Sequence, residues 1–439
     1  MNTTAPTAQG GLPSDLDGTR VVVVNWRDLD HSLAGGSERY AWEFACALRD
    51  AGAEVEFITA RDASQTRYES RDGIEIRRGG GPFTFYAFAS WALLRRRRVV
   101  DVVIDPECGI PTFSPLFVRR STAVVLVVHH VHQEQFATYF PGPVARVGQW
   151  LERVVMPRVY RNRRTVAVSE STRDEMRRQL GWQTPVEILE NGTNVPRADE
   201  DGFLDKDLDR MLVLGRLVPH KRVDLVLRTL HALRDERPGL HLDVCGKGPE
   251  LERLRHLAAE LDLAERVTFH GYLAEEAKQE LLRRAVLHVC ASDIEGWGQV
   301  VIEAAGYGIV TVARDVPGLR DSIHDGETGF LVPDSPDLGV VGHRLTEGVR
   351  RALTELEAPE NLQLAYKATR AWAAGFSWRR MRREAVTLVN DELRRTRRAR
   401  RTPSSTAATT PPFDSVAPSA AVAANTERSS PCVASPVQP

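Results

Sequence analysis

The 439-residue sequence has few cysteines, no long apolar run and almost no net charge. Its cysteines are odd in number and show no paired spacing, which argues against a disulfide framework and suits reduced thiols in a cytosolic protein. No run approaches the ~18 consecutive apolar residues that a membrane-spanning helix needs. A formal net charge of −1 gives no reason to expect a nucleic-acid partner. The five cysteines are Cys46, Cys108, Cys245, Cys290 and Cys432.

The two ends of the sequence lack the apolar residues that a folded core requires. Residues 1–17 have neither the basic nor the apolar region of a secretory signal peptide, so we expect a disordered leader and a cytoplasmic protein. From residue 402 onward alanine, proline, serine and threonine dominate. We therefore expect residues 402–439 to be a disordered tail.

Between these ends, apolar β-type runs alternate with amphipathic helical segments, which predicts an α/β architecture with parallel strands. A polar, acid-rich stretch at residues 197–209 interrupts the alternation, which then starts again. This pattern predicts two Rossmann-like domains that face a central cleft. The predicted units are an N-terminal domain over 18–197, a C-terminal domain over 198–375, and a final helix over 376–401 that returns to the N-terminal domain.

Two glutamates surround a glycine-rich loop in the stretch SDIEGWGQVVIEAAGYGIVTVA, residues 292–313. Glu295 lies in the loop that follows a predicted strand, and Glu303 lies in the apolar helix after it. The Glu303 carboxylate can accept two hydrogen bonds from a vicinal diol such as that of ribose. Glu295 would then face the mouth of the cleft. Sites for a sugar and a ribose, with phosphates between them, favour a nucleotide sugar over the alternative of two ordinary surface acids.

Two further segments point to the same cleft. Gly215 ends the first strand of the second alternation, and Arg216 and Lys221 follow it. Two cations at the carboxyl end of a strand suit a diphosphate that departs with negative charge. Gly35 and Gly36 follow the first strand of the chain and open a helix, which is a geometry for cradling phosphate from the opposite domain. Ordinary loop cations and an ordinary glycine turn are the alternatives.

Three histidines, His129, His130 and His132, come just after an apolar strand of the first domain. No nearby Cys or Asp completes a metal-ligand set with them, so we predict no metal site. They lie in the region of the cleft. The alternative is a histidine that only packs the loop.

The motifs GGSERY, VSEST, NGTN, GRLVPHK, CGKGPE and EGWGQVVIE, in this order and spacing over residues 20–390, resemble the GT-B glycosyltransferases of family 4. The resemblance implies the GT-B fold and retaining transfer of a hexosyl-type sugar from a UDP- or GDP-type donor. It implies no metal and no other cofactor. One departure is Lys247 in CGKGPE, which leaves the contacts to the base open.

The resemblance also assigns roles by position. Glu303 holds the ribose, Arg216 and Lys221 hold the diphosphate, and Gly35, Gly36 and Gly215 approach the phosphates. Glu295 and the backbone of Gly296, Trp297, Gly298 and Gln299 hold the donor sugar. His129, or as second choice His130, reaches the sugar near the reacting carbon.

Two other classes of function are alternatives to a transferase. A dinucleotide oxidoreductase is excluded because no G-x-G-x-x-G follows the first strand. A non-catalytic sugar-nucleotide-binding protein or inactive transferase subunit stays open as the alternative, although the presence of Arg216, Lys221, Glu295 and Glu303 argues against it.

The sequence is compatible with three kinds of acceptor: a sugar, a lipid-linked molecule or a small molecule. Arginine is clustered at residues 95–98 and 158–164 of the first domain, beside aromatic and aliphatic residues. Such a surface is either a solvated basic face or a site of peripheral contact with anionic lipid at the inner face of a membrane.

Overall fold

The computed structural model describes residues 15–401, except 33, 83, 108 and 197–205. Nearly all of the expected leader, most of the expected linker and the whole expected tail therefore lie outside the described residues. Strands and helices alternate through the rest of the chain and form two separate sheets. The predicted α/β architecture with two Rossmann-like domains is confirmed.

The N-terminal sheet has eight strands in the order β3-β4-β2-β1-β5-β6-β7-β8, and all neighbours are parallel except β3 and β4. The paired residues of β5 and β6 run from Val102 opposite Ala123 to Glu107 opposite Val128, so these two strands end together. The strands are β1 (Arg20–Val24), β2 (Glu54–Thr59), β3 (Tyr68–Arg71), β4 (Ile74–Arg78), β5 (Val102–Glu107), β6 (Ala123–Val128), β7 (Arg164–Ala167) and β8 (Glu187–Ile188).

The C-terminal sheet has six parallel strands in the order β11-β10-β9-β12-β13-β14. Its order changes direction at β9, which has β10 on one side and β12 on the other. Loops that leave the carboxyl ends of such strands diverge and open a crevice for a ligand. The strands are β9 (Asp207–Leu214), β10 (His241–Cys245), β11 (Val267–Gly271), β12 (Ala285–Cys290), β13 (Val310–Arg314) and β14 (Gly329–Val332).

The helices cover the faces of both sheets, which is why a strand such as β6 is buried at all six of its residues. None of the described helices has the length and apolar character needed to cross a membrane. The helices are α1 (Gly36–Asp50), α2 (Phe85–Arg96), α3 (Gln133–Tyr139), α4 (Gly142–Trp150), α5 (Met156–Val159), α6 (Glu170–Leu180), α7 (Val223–Ala232), α8 (Leu251–Glu260), α9 (Glu275–Arg284), α10 (Gln299–Gly306), α11 (Leu319–Ser322), α12 (Leu338–Leu356), α13 (Pro359–Ala374) and α14 (Trp378–Arg401).

Short segments of other helix types join these elements. A π-helical segment, Leu151–Val155, continues α4 into α5. The 3₁₀ turns are Ser114–Leu116, before β6, and Pro219–Lys221, after β9. The second of these turns brings its last residue to the carboxyl edge of the C-terminal sheet.

The chain passes between the two sheets twice, and the two crossings touch. Thr193 of the first crossing forms an isolated parallel bridge with Ser377 of the second. Its backbone N–H donates to the carbonyl oxygen of Phe376 at 2.5 Å. After the second crossing, α14 buries its apolar face in the same core as α1 of the N-terminal sheet. Nε of Arg382 on α14 donates to Oε2 of Glu43 on α1 at 2.7 Å.

Candidate active site

The loop between β12 and α10 holds Glu295 in contact with a cation from the neighbouring strand. Its Oε1 accepts a hydrogen bond from the Ser292 hydroxyl at 2.7 Å and binds Nζ of Lys221. Lys221 reaches it because β9 and β12 are adjacent in the sheet. Burial alone would raise the pKa of Glu295, but the ammonium of Lys221 and both hydrogen bonds lower it overall. Glu295 is therefore an ionised carboxylate at neutral pH.

Arg216, by contrast, is exposed, and within the described part of the chain it forms no ion pair. It follows Gly215, whose φ of 127° lies in the region that favours glycine. The start of α1 faces it from the other domain: a Cβ added at Gly35 would lie 3.8 Å from Nε of Arg216. A Cβ at Gly36 would lie 3.8 Å from Cβ of Gln299. The structure thus brings the predicted cation and the predicted glycines to one place.

The N-terminus of α1 already carries an internal carboxylate, which the sequence interpretation missed. Oε2 of Glu38 accepts the backbone N–H of Gly35 at 2.7 Å and the Ser37 hydroxyl at 3.0 Å. Its Oε1 accepts Nε of Arg27 at 2.8 Å. The N–H of Gly35 is thus engaged within the helix, and Gly36 is left as the glycine without such a carboxylate contact. The spacing of a helix-capping glutamate, three residues after the cap, was the available signal.

Glu303 lies in the second turn of α10 and is about a quarter exposed. Its Oε1 binds Nζ of Lys278 on α9, which also binds Oε2 of Glu275 at 2.9 Å. Burial alone would lower the pKa of Lys278, but Glu303 raises it overall. The Lys278 contact was not predicted, because the two residues are 25 positions apart on separate helices.

The glycines of the loop have structural neighbours of their own. A Cβ at Gly296 would lie 2.1 Å from the carbonyl oxygen of His129, in the other domain, and a Cβ at Gly298 would lie 2.5 Å from Oγ of Ser322. We expected these glycines to let a ligand approach the backbone. The structure shows that Gly296 is also required where the two domains touch.

Trp297 and Gln299 of the same loop face protein rather than solvent. The Trp297 ring is buried and packs edge-on against Phe376 at a centroid distance of 4.9 Å, so its backbone, not its side chain, is available to a ligand. Nε2 of Gln299 donates to the carbonyl oxygen of Gly192 at 2.9 Å, at the first crossing between the domains.

His129 is buried and packs edge-on against Tyr40 at a centroid distance of 5.2 Å. Burial lowers the pKa of His129 to about 4, so its imidazole is neutral at neutral pH. Its Nε2 is buried without a hydrogen-bond partner among the described residues. His130 differs, since its Nε2 lies 2.9 Å from Oε1 of Gln135. Packing on Tyr40 fits a histidine that only fills the loop, whereas the unpartnered nitrogen fits one that meets a ligand.

Known proteins resemble both halves of the chain. Residues 34–197 match the family model "Glycosyltransferase Family 4" and residues 195–365 match "Glycosyl transferases group 1". A D-inositol 3-phosphate glycosyltransferase of Streptomyces avermitilis is 31% identical over 340 residues, which cover 68% of this chain and 72% of that protein. An alpha-D-kanosaminyltransferase of Streptomyces kanamyceticus is 26% identical over 300 residues, covering 61% and 75%. A solved sucrose-phosphate synthase from Thermosynechococcus elongatus matches with a TM-score of 0.69 and 21% identity, over 87% of this chain and all of that one.

Proposed function

Since the chain belongs to glycosyltransferase family 4 and is a GT-B enzyme that uses a nucleotide sugar, we propose that it transfers a hexosyl-type sugar from a UDP- or GDP-type donor with retention of configuration. The observation that carries the proposal is the position of Arg216. Its guanidinium is free of acidic partners among the described residues and lies against Gly35 of the opposite domain. A free cation where two domains meet is suited to a diphosphate bound between them.

The residues around Arg216 then have distinct tasks. Arg216 and Lys221 stabilise the negative charge that develops on the departing diphosphate. Glu295 orients Lys221 through its Oε1. Its other carboxylate oxygen, Oε2, accepts a hydrogen bond from a hydroxyl of the donor sugar. Glu303 accepts the ribose hydroxyls, with Lys278 fixing its carboxylate. Neutral His129 lies behind the loop of Gly296, where it approaches the reacting carbon.

In this proposal no divalent cation takes part in the transfer. The usual task of such a cation is to neutralise the diphosphate, and Arg216 with Lys221 supplies two positive charges at that place. The proposed reaction therefore needs no cofactor beyond the donor itself.

Hydrolysis and transfer assays test the proposal. Purified full-length protein is incubated with UDP- and GDP-linked hexoses, first alone and then with a panel of sugar, inositol-type and lipid-linked acceptors. We expect slow hydrolysis of one donor class, and a transfer product whose anomeric proton coupling matches that of the donor. A product of inverted configuration would overturn retention, and absence of turnover with every UDP and GDP donor would overturn the donor assignment.

The acceptor proposal includes lipid-linked molecules because two helices of the first domain expose apolar and basic side chains together. On α2, Trp91 is 47% exposed and the Arg95 guanidinium stacks on its ring at 4.7 Å. On α4, Val147 and Trp150 are each more than half exposed. Aromatic and basic groups in this combination suit the boundary of an anionic bilayer.

Vesicle sedimentation distinguishes peripheral membrane contact from a solvated basic face. We expect binding that rises with the anionic lipid content and falls with salt, and that weakens in a Trp91→Ala and Trp150→Ala double variant. Tyr272→Ala, which removes an aromatic ring that is 77% exposed in the other domain, is the matched control. No binding at low salt would leave the soluble acceptors as the proposal.

A further inference from the structure

Three buried side chains from three separate segments meet beneath the histidine loop of the first domain. Glu107 ends β5, His132 precedes α3, and Glu152 lies in the π-helical segment. One ligand atom from each lies within 4.8 Å of the others. Nδ1 of His132 is 3.3 Å from Oε1 of Glu152 and 3.8 Å from Oε1 of Glu107. Both glutamate side chains are fully buried.

Glu107 is the unexplained member of this cluster. Both of its carboxylate oxygens are buried and have no hydrogen-bond partner within the described part of the chain. Asp105, two residues earlier on the same strand, shows the usual arrangement. Its oxygens accept the Thr112 N–H at 3.0 Å, the Thr112 hydroxyl at 2.8 Å, the Ser114 N–H at 3.1 Å and the Tyr160 hydroxyl. A buried carboxyl group without such donors either takes up a proton or is balanced by a source of positive charge.

Hydrogen bonds from two neighbouring residues fix the orientation of the Glu152 carboxylate in this cluster. Its Oε1 accepts the backbone N–H of His132 at 2.6 Å, and its Oε2 accepts Nε2 of Gln133 at 2.5 Å. Hydrogen bonds of this kind orient carboxylates that bind metals. The π-helical segment that carries Glu152 is itself a rare geometry that occurs frequently at functional sites.

We propose that Glu107, His132 and Glu152 form a binding site for one divalent transition-metal ion. When both glutamates are ionised they carry two negative charges, which a divalent ion balances. Oxygen and imidazole nitrogen ligands of this kind suit zinc and manganese(II). The sequence predicts no metal at these histidines, because the acids that complete the set are 25 and 20 residues away from His132. The strand that ends at Glu107 and the π-helical segment that carries Glu152 bring them together.

The site is distinct from the donor cleft and acts on it through the chain. His132 lies three residues after His129, whose carbonyl oxygen touches the Gly296 loop. A bound ion ties the carboxyl ends of β5 and β6 to the π-helical segment. It therefore fixes the loop that presents His129 to the other domain, as a positioning element outside the reaction itself.

Metal titration of the full-length protein tests the site. The protein is stripped by dialysis against a strong chelator and titrated with cobalt(II), whose visible spectrum reports its ligands, and with zinc in competition with a chromophoric chelator. We expect one ion per chain. Glu107→Gln and His132→Ala each lower the affinity by on the order of 100-fold or more.

Two control variants are matched to these. Glu175→Gln changes a buried glutamate outside the cluster, and His324→Gln changes an exposed histidine near an acid; both should keep the parent affinity. Zinc should raise the melting temperature of the parent and the controls but not of Glu107→Gln. If the cluster variants do not fold, X-ray absorption of the cobalt-loaded parent decides, with one nitrogen and otherwise oxygen ligands expected.

Two results would overturn the proposal. One is a stripped parent that binds neither cobalt(II) nor zinc in a one-to-one ratio; Glu107→Gln melting above the parent would then mean that the two glutamates share a proton. The other is an affinity that survives Glu107→Gln and His132→Ala unchanged, which would place the bound ion elsewhere.

Discussion

Nζ of Lys278 on α9 binds Oε1 of Glu303 on α10, so the acid proposed to hold the ribose is oriented by a base from the helix that precedes β12. Lys278 is in turn held by Glu275, one helical turn earlier. The pair leaves the other oxygen of Glu303 without a partner among the described residues. The proposed ribose site therefore depends on side chains from both α9 and α10.

Glu303→Ala should weaken binding of the nucleoside diphosphate while the fold stays intact. Loss of a charge-assisted hydrogen bond of this kind costs about 1.5–3 kcal/mol, which is roughly 10- to 150-fold in affinity. Calorimetry with UDP and GDP measures it, and circular dichroism checks the fold. Glu276→Ala, an exposed acid on α9, is the control. A variant that binds as tightly as the parent would show that Glu303 does not hold the ribose.

Lys278→Met should also weaken donor binding, but by less than Glu303→Ala. Methionine keeps the apolar stem and removes only the ammonium that orients Glu303. The double variant should bind no more weakly than Glu303→Ala alone, because Lys278 acts through Glu303. Fully additive losses in the same calorimetric titration would mean that Lys278 contacts the donor independently.

Gly296→Ala should lower both the stability and the activity of the enzyme. The new Cβ would lie 2.1 Å from the carbonyl oxygen of His129, so the two domains must separate locally. Overpacking of this kind costs about 1–3 kcal/mol. Chemical unfolding and turnover measure the two effects. Gly142→Ala, where an added Cβ meets no atom within 4 Å, should behave as the parent; equal behaviour of both variants would contradict the close contact.

The contribution of Glu295 to stability should be lost in acid. Its pKa in the folded protein lies below the ordinary value of 4.5, since Lys221 and the hydrogen bonds outweigh burial. The unfolded chain therefore takes up the proton first, and the stabilisation is complete above about pH 4.5 and disappears as the pH falls through the folded pKa.

The measurement is the free energy of unfolding of the parent and of Glu295→Gln between about pH 3 and 7. The gap between them should be constant near neutrality and shrink below about pH 4.5. Glu327→Gln, whose carboxylate is largely exposed, gives the background. A gap that stays the same down to pH 3 would speak against the ion pair with Lys221.

Arg216→Ala should reduce turnover by about 100-fold or more, the usual effect of removing one donor that stabilises developing charge. Arg228→Ala, an exposed arginine on α7, should leave the rate unchanged.

Magnesium should neither rescue the Arg216→Ala variant nor accelerate the parent enzyme, because the proposed transfer uses the positive charges of Arg216 and Lys221. A parent that loses activity in EDTA and regains it with magnesium would refute the metal-free transfer.

The sequence predicted the fold well because local pattern and burial agree. The apolar run of β6 is a fully buried strand, Gly215 follows the end of β9, and Glu303 lies in a helix after the glycine loop, as expected. Alternation of strands and helices carries this information residue by residue. The GT-B fold implied by the motifs is likewise confirmed by the comparison with known structures.

Contacts between distant segments could not be predicted in the same way. Lys278 and Glu107 carry no sequence signal that links them to Glu303 and His132, because the fold decides which distant segments become neighbours. The glycine at 296 was interpreted as an opening for a ligand, and its tightest neighbour is a carbonyl of the other domain. The roles of the individual site residues in transfer remain predictions.

The bridge between Thr193 and Ser377 determines how the cleft can open. Both described crossings of the chain between the domains are joined there, so the two backbone connections act as one pivot. Rotation about such a hinge is one of the common forms of domain motion. In such a rotation, the residues of each domain that lie farthest from the pivot move the most. A rotation that opens the cleft must therefore break the hydrogen bonds that join α6 of the first domain to α11 of the second, from Ser171 to Asp321.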